Sequence, residues 1–315
     1  MVDAAANAPP CLAAFAGLKA CGTAGSETAC KPFVRRAIAI LMLVVAGGWN
    51  LAGQETASVA NPEAVRFAVI GDNGTGDRLQ YEVARQMAAV HAKSPFETVV
   101  MLGDNIYGRQ DPQDFVQKFE RPYRPLLEAG VRFYAALGNH DRQSNRFYAP
   151  FNMGGERYYT YAMKNVRFFV LDSDYLDPKQ FAWIESALKN AREDWKICYF
   201  HHPLYSDGSR HGSQVDLRVL LEPLFVKYGV NVVFAGHDHI YERLKPQKGI
   251  HYFVAGAAGQ LRKGDLKRSD MTAAAYDHDQ TFMLVEIARA DLTFQAISRT
   301  GQTVDSGVIH RESRP

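Results

Sequence analysis

The sequence predicts an α/β fold in which helices cover strands buried on both faces, with a second, more antiparallel sheet in the last third. Three observations carry this prediction. From Arg66 onward, short apolar runs alternate with amphipathic stretches of helical length. Such alternation puts helices on the faces of a mainly parallel sheet, because a parallel neighbour is reached only through a long crossover. The last third abandons the alternation for consecutive strand-like runs.

In chain order, the runs at 67–70, 98–102, 131–137, 166–171, 197–200 and 230–235 have the length and unbroken apolar character of strands hidden on both faces. Between several of them, 78–93, 113–129, 178–192 and 215–228 carry helical spacing. The runs at 252–254, 281–287, 292–298 and 303–309 follow one another without a helical pattern and are expected to form the second sheet. No linker, low-complexity tract or repeat interrupts the body after Pro62, so 61–315 is expected to be one domain.

The first sixty residues read differently. They are rich in Ala and Gly, and Lys31, Arg35 and Arg36 directly precede an apolar run at 37–47. That run is too short to span a bilayer, which takes roughly 20 residues, and small residues at 57–60 suit a signal peptidase. Residues 1–60 are therefore expected to be an export signal or an uncleaved anchor, placing the protein outside the cytoplasm, periplasmic or secreted. A buried core helix is the competing reading. Trp49, Asn50 and Gln54 follow the run without helical periodicity and speak against it.

Lys and Arg number 36 against 34 Asp and Glu, so no basic block points to nucleic acid, and recognition must come from a site. Cys11, Cys21 and Cys30 precede the apolar run and only Cys198 lies in the body, which excludes a disulfide or a thiolate zinc site there.

Polar residues follow the strands in a recurring way: Gly71-Asp72, Gly103-Asp104 with Tyr107, Gly138-Asn139-His140-Asp141, His201-His202-Pro203, and Gly236-His237-Asp238-His239. The carboxyl ends of strands in an α/β sheet converge on one crevice, so groups distant in sequence can meet there. One Gly-Asp pair is an ordinary turn signal. Five such strand ends are not. Carboxylate, amide, phenol and imidazole form a hard-to-borderline donor set suited to Fe, Mn or Zn. Seven donors with one bridging carboxylate supply four to each of two ions.

These blocks, GDxG, GDxxY, GNHD, a His-bearing block and GHxH, occur in order over residues 65–310 and resemble the calcineurin-like metallophosphoesterases, most narrowly the purple acid phosphatases. The resemblance implies a four-layer α/β sandwich of two packed mixed β-sheets flanked by helices. It implies that Asp72, Tyr107 and His239 hold a ferric ion, that Asn139, His201 and His237 hold a divalent Fe, Zn or Mn, and that Asp104 bridges. Most metallophosphoesterases carry a His two residues after the first Asp; here that place holds Gly74, and Tyr107 is the discriminating residue.

The expected reaction is hydrolysis of a small phosphate monoester by metal-bound hydroxide below neutral pH, with a phosphodiesterase on the same metals as the alternative. His140, His202 and His211 are expected to orient the phosphate and protonate the leaving alkoxide, with Asp141 fixing the tautomer of His140. His202 stands where relatives often carry Tyr or Ser. His201 is preferred as the ligand because a strand runs into it and it lies two residues before Pro203. Asp172 and Asp174 read as a structural turn, Asp77, Arg78 and Arg142 as capping or solvated residues, and His251, His278 and His310 have no evident partner. No P-loop Lys follows the glycines at 71–76, and no Gly-x-Ser-x-Gly elbow exists. The loops at 148–161 and 258–277 carry no substrate signature. A membrane partner is expected only through the N-terminal segment.

Overall fold

The first strand, β1 (Val65–Ile70), already sets the layering, because its side chains alternate between two cores. Phe67 and Val69 face a core shared by two sheets, while Ala68 and Ile70 pack beneath helices. The structure, a computed structural model, describes residues 63–311; the expected export segment or anchor, with Cys11, Cys21 and Cys30, lies outside the described residues.

β1 pairs in parallel with β2 (Thr98–Met101), and β2 with β3 (Arg132–Ala135). Each crossover is helical: α1 (Arg78–Lys93) joins the first pair, and α2 (Pro112–Phe115), a π-helical turn at Val116–Glu120 and α3 (Arg121–Glu128) join the second. α1 starts where Asp77 accepts from the backbone N–H of Leu79 and Gln80, the capping role expected of it. Arg78 is exposed and pairs with Glu82.

The second sheet has a parallel centre of β5 (Val166–Val170), β6 (Trp195–Phe200), β7 (Val232–Ala235) and β9 (His251–Ala255), crossed over by α4 (Pro178–Asn190) and α5 (Val215–Tyr228). Antiparallel strands flank it: β4 (Tyr159–Met163) on one side, β8 (Tyr241–Leu244) and β10 (Thr272–Tyr276) on the other. Phe168, Val170, Ile197, Tyr199 and Phe234 meet Phe67, Val69 and Val100 in the central core. A third core, including Phe169, Cys198 and Phe200, lies under α4 and α5. The order is helices, sheet, sheet, helices, as the resemblance implies.

The expected assignment of the last strands is corrected in one respect. β11 (Thr281–Ala288), β12 (Asp291–Ser298) and β13 (Thr303–His310) do not build a sheet of their own. β11 pairs antiparallel with β1, so they extend the first sheet in the order β13-β12-β11-β1-β2-β3. Both sheets are therefore mixed. Of the four runs expected to form the second sheet, only the one in β9 joins it.

Candidate metal centre

Both sheets deliver donors to one edge of the sandwich. Asp72, Asp104 and Asn139 follow β1, β2 and β3 of the first sheet, while His201, His237 and His239 follow β6 and β7 of the second. Three of them sit in the left-handed region, Asp72 at φ 54°, Asp104 at φ 53° and His237 at φ 68°, a backbone state that costs a non-glycine residue. Surrounding contacts hold it. The N–H of His237 donates to Asp72 Oδ2 (2.8 Å) and that of His140 to Asp104 Oδ1 (2.8 Å). The glycine before a donor has a specific reason to lack a side chain: a Cβ at Gly138 would lie 2.3 Å from Asp104 Oδ1, and one at Gly236 would lie 2.5 Å from Asp72 Oδ2.

The donors form two adjacent groups. In the first, Tyr107 Oη lies 3.2 Å from Asp72 Oδ1 and 3.4 Å from His239 Nε2, and those two atoms are 3.3 Å apart. In the second, His201 Nε2 lies 3.0 Å from Asn139 Oδ1, 3.1 Å from His237 Nδ1 and 3.5 Å from Asp104 Oδ1. Donors held about 2.0–2.1 Å from one cation are necessarily roughly 3 Å apart, so both sets of edges fit a metal ion. Asp104 also groups with Asp72 and His239 and thus stands between the two sets. His201 Nδ1 is 3.0 Å from the carbonyl of Leu102, a partner that fixes the proton on Nδ1 and turns the Nε2 lone pair inward.

The electrostatics fit the same occupant. Asp72 and Asp104 are buried, and no Lys or Arg forms an ion pair with either among the described residues. Burial and then the repulsion of Asp104 push the Asp72 carboxyl well above the usual carboxylate range. Burial lowers the imidazoles, His237 to about 2 and His239 to about 4, with His201 also well below its usual value, so they present neutral lone pairs. Burial and then Asp72 and Asp104 raise the Tyr107 phenol. A multivalent cation reverses each of these costs at once.

Tyr107 supplies a donor beside a Gly74 at which no side chain fits. A Cβ at Gly74 would stand 2.0 Å from the carbonyl oxygen of Asn105, so this position is closed to a side chain by the loop after β2. That same loop delivers the phenol. The N–H of Tyr107 donates to the carbonyl of Gly74 (2.9 Å), which ties the two turns together.

The three further histidines surround the donors. The His140 ring is exposed and 5.0 Å from the Tyr107 ring; the His202 and His211 rings lie 4.3 and 4.1 Å from that of His237. His202 Nδ1 is 2.9 Å from Ser173 Oγ, and its other nitrogen is 3.7 Å from Asp174. Asp141 needs correcting, since its carboxylate does not face the His140 ring. It accepts from the backbone N–H of Asn105, Ile106 and Gly138 and from the Asn105 and Asn145 amides, bracing the turns that carry Asp104 and Asn139. Asp172 is the structural turn expected, holding Arg157 and the N–H of Asp174 and Tyr175. Asp174 instead borders the site, and no local pattern announced it. Arg142 is exposed, as expected. Of the unassigned histidines, His310 pairs with Asp291 at 2.8 Å and His278 lies 3.5 Å from Asp277.

A four-layer sandwich whose two sheets aim buried carboxylates, neutral imidazoles, an amide and a phenol at two adjoining points defines a metal-dependent phosphoester hydrolase. Residues 65–241 match the model of the calcineurin-like phosphoesterases, and the chain belongs to that family. It is 27% identical to tartrate-resistant acid phosphatase type 5 of Homo sapiens, over 80% of this chain and 93% of that protein. Among solved structures it resembles the anchor in the inner membrane complex of Plasmodium, with a TM-score of 0.68 at 18% identity over 80% of this chain and 90% of that one. It also resembles a purple acid phosphatase from yellow lupin seeds, with a TM-score of 0.67 at 20% identity over 79% of this chain and 54% of that one. At those identities the solved structures speak for the fold; the family match and the donor set make the chain a hydrolase with a dinuclear metal centre.

Proposed function

We propose that this enzyme hydrolyses phosphate monoesters as an acid phosphatase, with Asp72, Tyr107 and His239 holding a ferric ion, Asn139, His201 and His237 holding a divalent Fe, Zn or Mn, and Asp104 shared. The observation that carries the reading is the Asp72, Tyr107, His239 triangle beside a Gly74 that admits no side chain. A phenolate and a carboxylate favour a hard trivalent ion. Bound there, the two cations supply neutralisation of the phosphate oxygens and acidification of water.

The chain's own residues complete the chemistry. His202, held through Ser173, positions a phosphate oxygen at the mouth. His140 has no hydrogen bond to its ring among the described residues and is exposed beside Tyr107, so it can carry a proton to the leaving oxygen. His211 packs against His237 and can contact the phosphate from there. The purified enzyme should turn over an aryl phosphate monoester with an optimum below neutral pH. Activity confined to diesters would instead establish the phosphodiesterase.

Iron-loaded protein should show a visible phenolate-to-iron band, and Tyr107→Phe should remove it while the ring continues to pack. A band unchanged in that variant would exclude Tyr107 as the ligand and favour a two-zinc or two-manganese centre. We also propose that the enzyme is exported and that its mature chain starts near residue 60; the intact mass of protein from native envelopes should be short by the leader, and a full-length mass would mean an anchored or cytoplasmic enzyme.

A further inference from the structure

An open cavity of about 600 Å³, in the size range of small-molecule sites, borders His202 at the edge of the metal centre. Asp174 is the shared wall: it lines the cavity, and its Oδ1 lies 3.7 Å from Nε2 of His202. The other walls come from the turn after Asp141, through Gln143 and Arg146, and from Tyr175 and Leu176. A phosphoester whose phosphorus lies at the metals must send its leaving group somewhere, and this is a cavity beside the donors with the dimensions to take one.

Its chemistry is specific. Tyr175 is 60% exposed and offers an aromatic side chain to the cavity. Arg146 forms no ion pair among the described residues; its guanidinium carbon lies 4.5 Å from the Phe147 ring centroid, and it donates to the carbonyl of Gln143 (2.7 Å). Gln143 keeps a buried amide oxygen with no partner. The Asp174 carboxylate accepts no hydrogen bond from the described residues, whereas Arg157 is committed to Asp172 (2.8 Å) and Asp177 (2.9 Å) and serves as a fixed wall. Next to His202 the cavity thus offers a carboxylate without a hydrogen-bond donor among the described residues, an exposed aromatic residue and a guanidinium with open donors.

We propose that this cavity is the leaving-group subsite and that it takes a nucleoside, so that the enzyme prefers nucleoside monophosphates. A sugar hydroxyl donates to Asp174, the base stacks on Tyr175, and its edge meets the Arg146 guanidinium. Stacking on an exposed aromatic face is tolerant of base identity, and a guanidinium with open donors can serve the acceptor atoms that every base edge carries. A bare aliphatic leaving group would leave those polar atoms unmatched.

This rests on the phosphomonoesterase reading for catalysis, but its binding half can be tested without it. Adenosine has no phosphate, so its binding, followed by calorimetry on the metal-loaded protein, reports the subsite alone. It should bind, Tyr175→Ala should weaken it about tenfold, the loss of one stacking contact, and Tyr175→Phe should retain it. In parallel, the ratio of kcat/KM for adenosine 5′-monophosphate over glycerol 2-phosphate should fall about tenfold in Tyr175→Ala and fall again in Arg146→Ala, through KM rather than kcat. Adenosine binding indifferent to both variants, or an unchanged ratio, overturns the proposal. An equal dependence on Tyr175 for phenyl phosphate overturns the nucleoside assignment in favour of a simple aryl subsite. Tyr175-dependent adenosine binding in a protein that hydrolyses no monoester would refute the proposed function while upholding the nucleoside site.

Discussion

Asp104→Ala is expected to lower phosphomonoester turnover by at least about a thousandfold, the scale on which losing a charge-stabilising metal interaction is felt. Asp104 is the one carboxylate that stands between the two donor groups: Oδ1 is 3.5 Å from His201 Nε2, and the same residue groups with Asp72 and His239. The loss should not be a folding defect. Asp104 is the like charge that helps to raise the Asp72 carboxyl, so removing it relieves repulsion inside a buried site. Asp104→Asn, which keeps an acceptor for the N–H of His140, should leave the metal-free protein as thermally stable as the parent or more so, while binding metal weakly and turning over little. A less stable metal-free Asp104→Asn together with near-parental turnover would show that Asp104 is structural.

The second large effect is expected at Asp141, on stability. Asp141→Ala strips the acceptor from three backbone N–H groups and two side-chain amides in the buried turns behind the metals. Buried donors left unmatched cost about 1–3 kcal/mol each, and partial relaxation brings the expected total to about 3–5 kcal/mol. For a domain of this size that lowers the melting temperature by roughly 10 °C. Metal affinity should fall with it, because the turn that carries Tyr107 loses its anchor. Thermal melts of the variant beside Asp174→Ala make the comparison, since Asp174 lies at the rim and should shift the melt far less. Equal melts for parent and Asp141→Ala would remove the bracing role.

What the sequence shows of this protein follows from the range of the forces involved. Strand ends that carry donors are local patterns, and all seven expected donors are brought within two adjoining groups. The helices α1 and α5 lie where their periodicity puts them. β8 and β10 were not legible: the first carries Glu242 and Arg243 mid-strand, and the second has three Ala, with little strand preference, between Thr272 and Tyr276. β4 hides in an aromatic stretch read as a loop. Pairing of β11 with β1 joins residues more than two hundred positions apart, which periodicity does not encode. Asp141 looked like a partner for His140 because they are adjacent; its acceptors point to the turn thirty-five residues earlier, a direction only the fold sets.

One chain is expected to hold two metal ions and to need both to hydrolyse a phosphate monoester. Titrating chelator-treated protein with metal while following aryl phosphate turnover tests it directly. Turnover should remain near zero through the first equivalent and rise to its plateau at two equivalents per chain, with two ions found by elemental analysis of the active protein. Full activity at one equivalent, or activity undiminished by removal of metal, would contradict it.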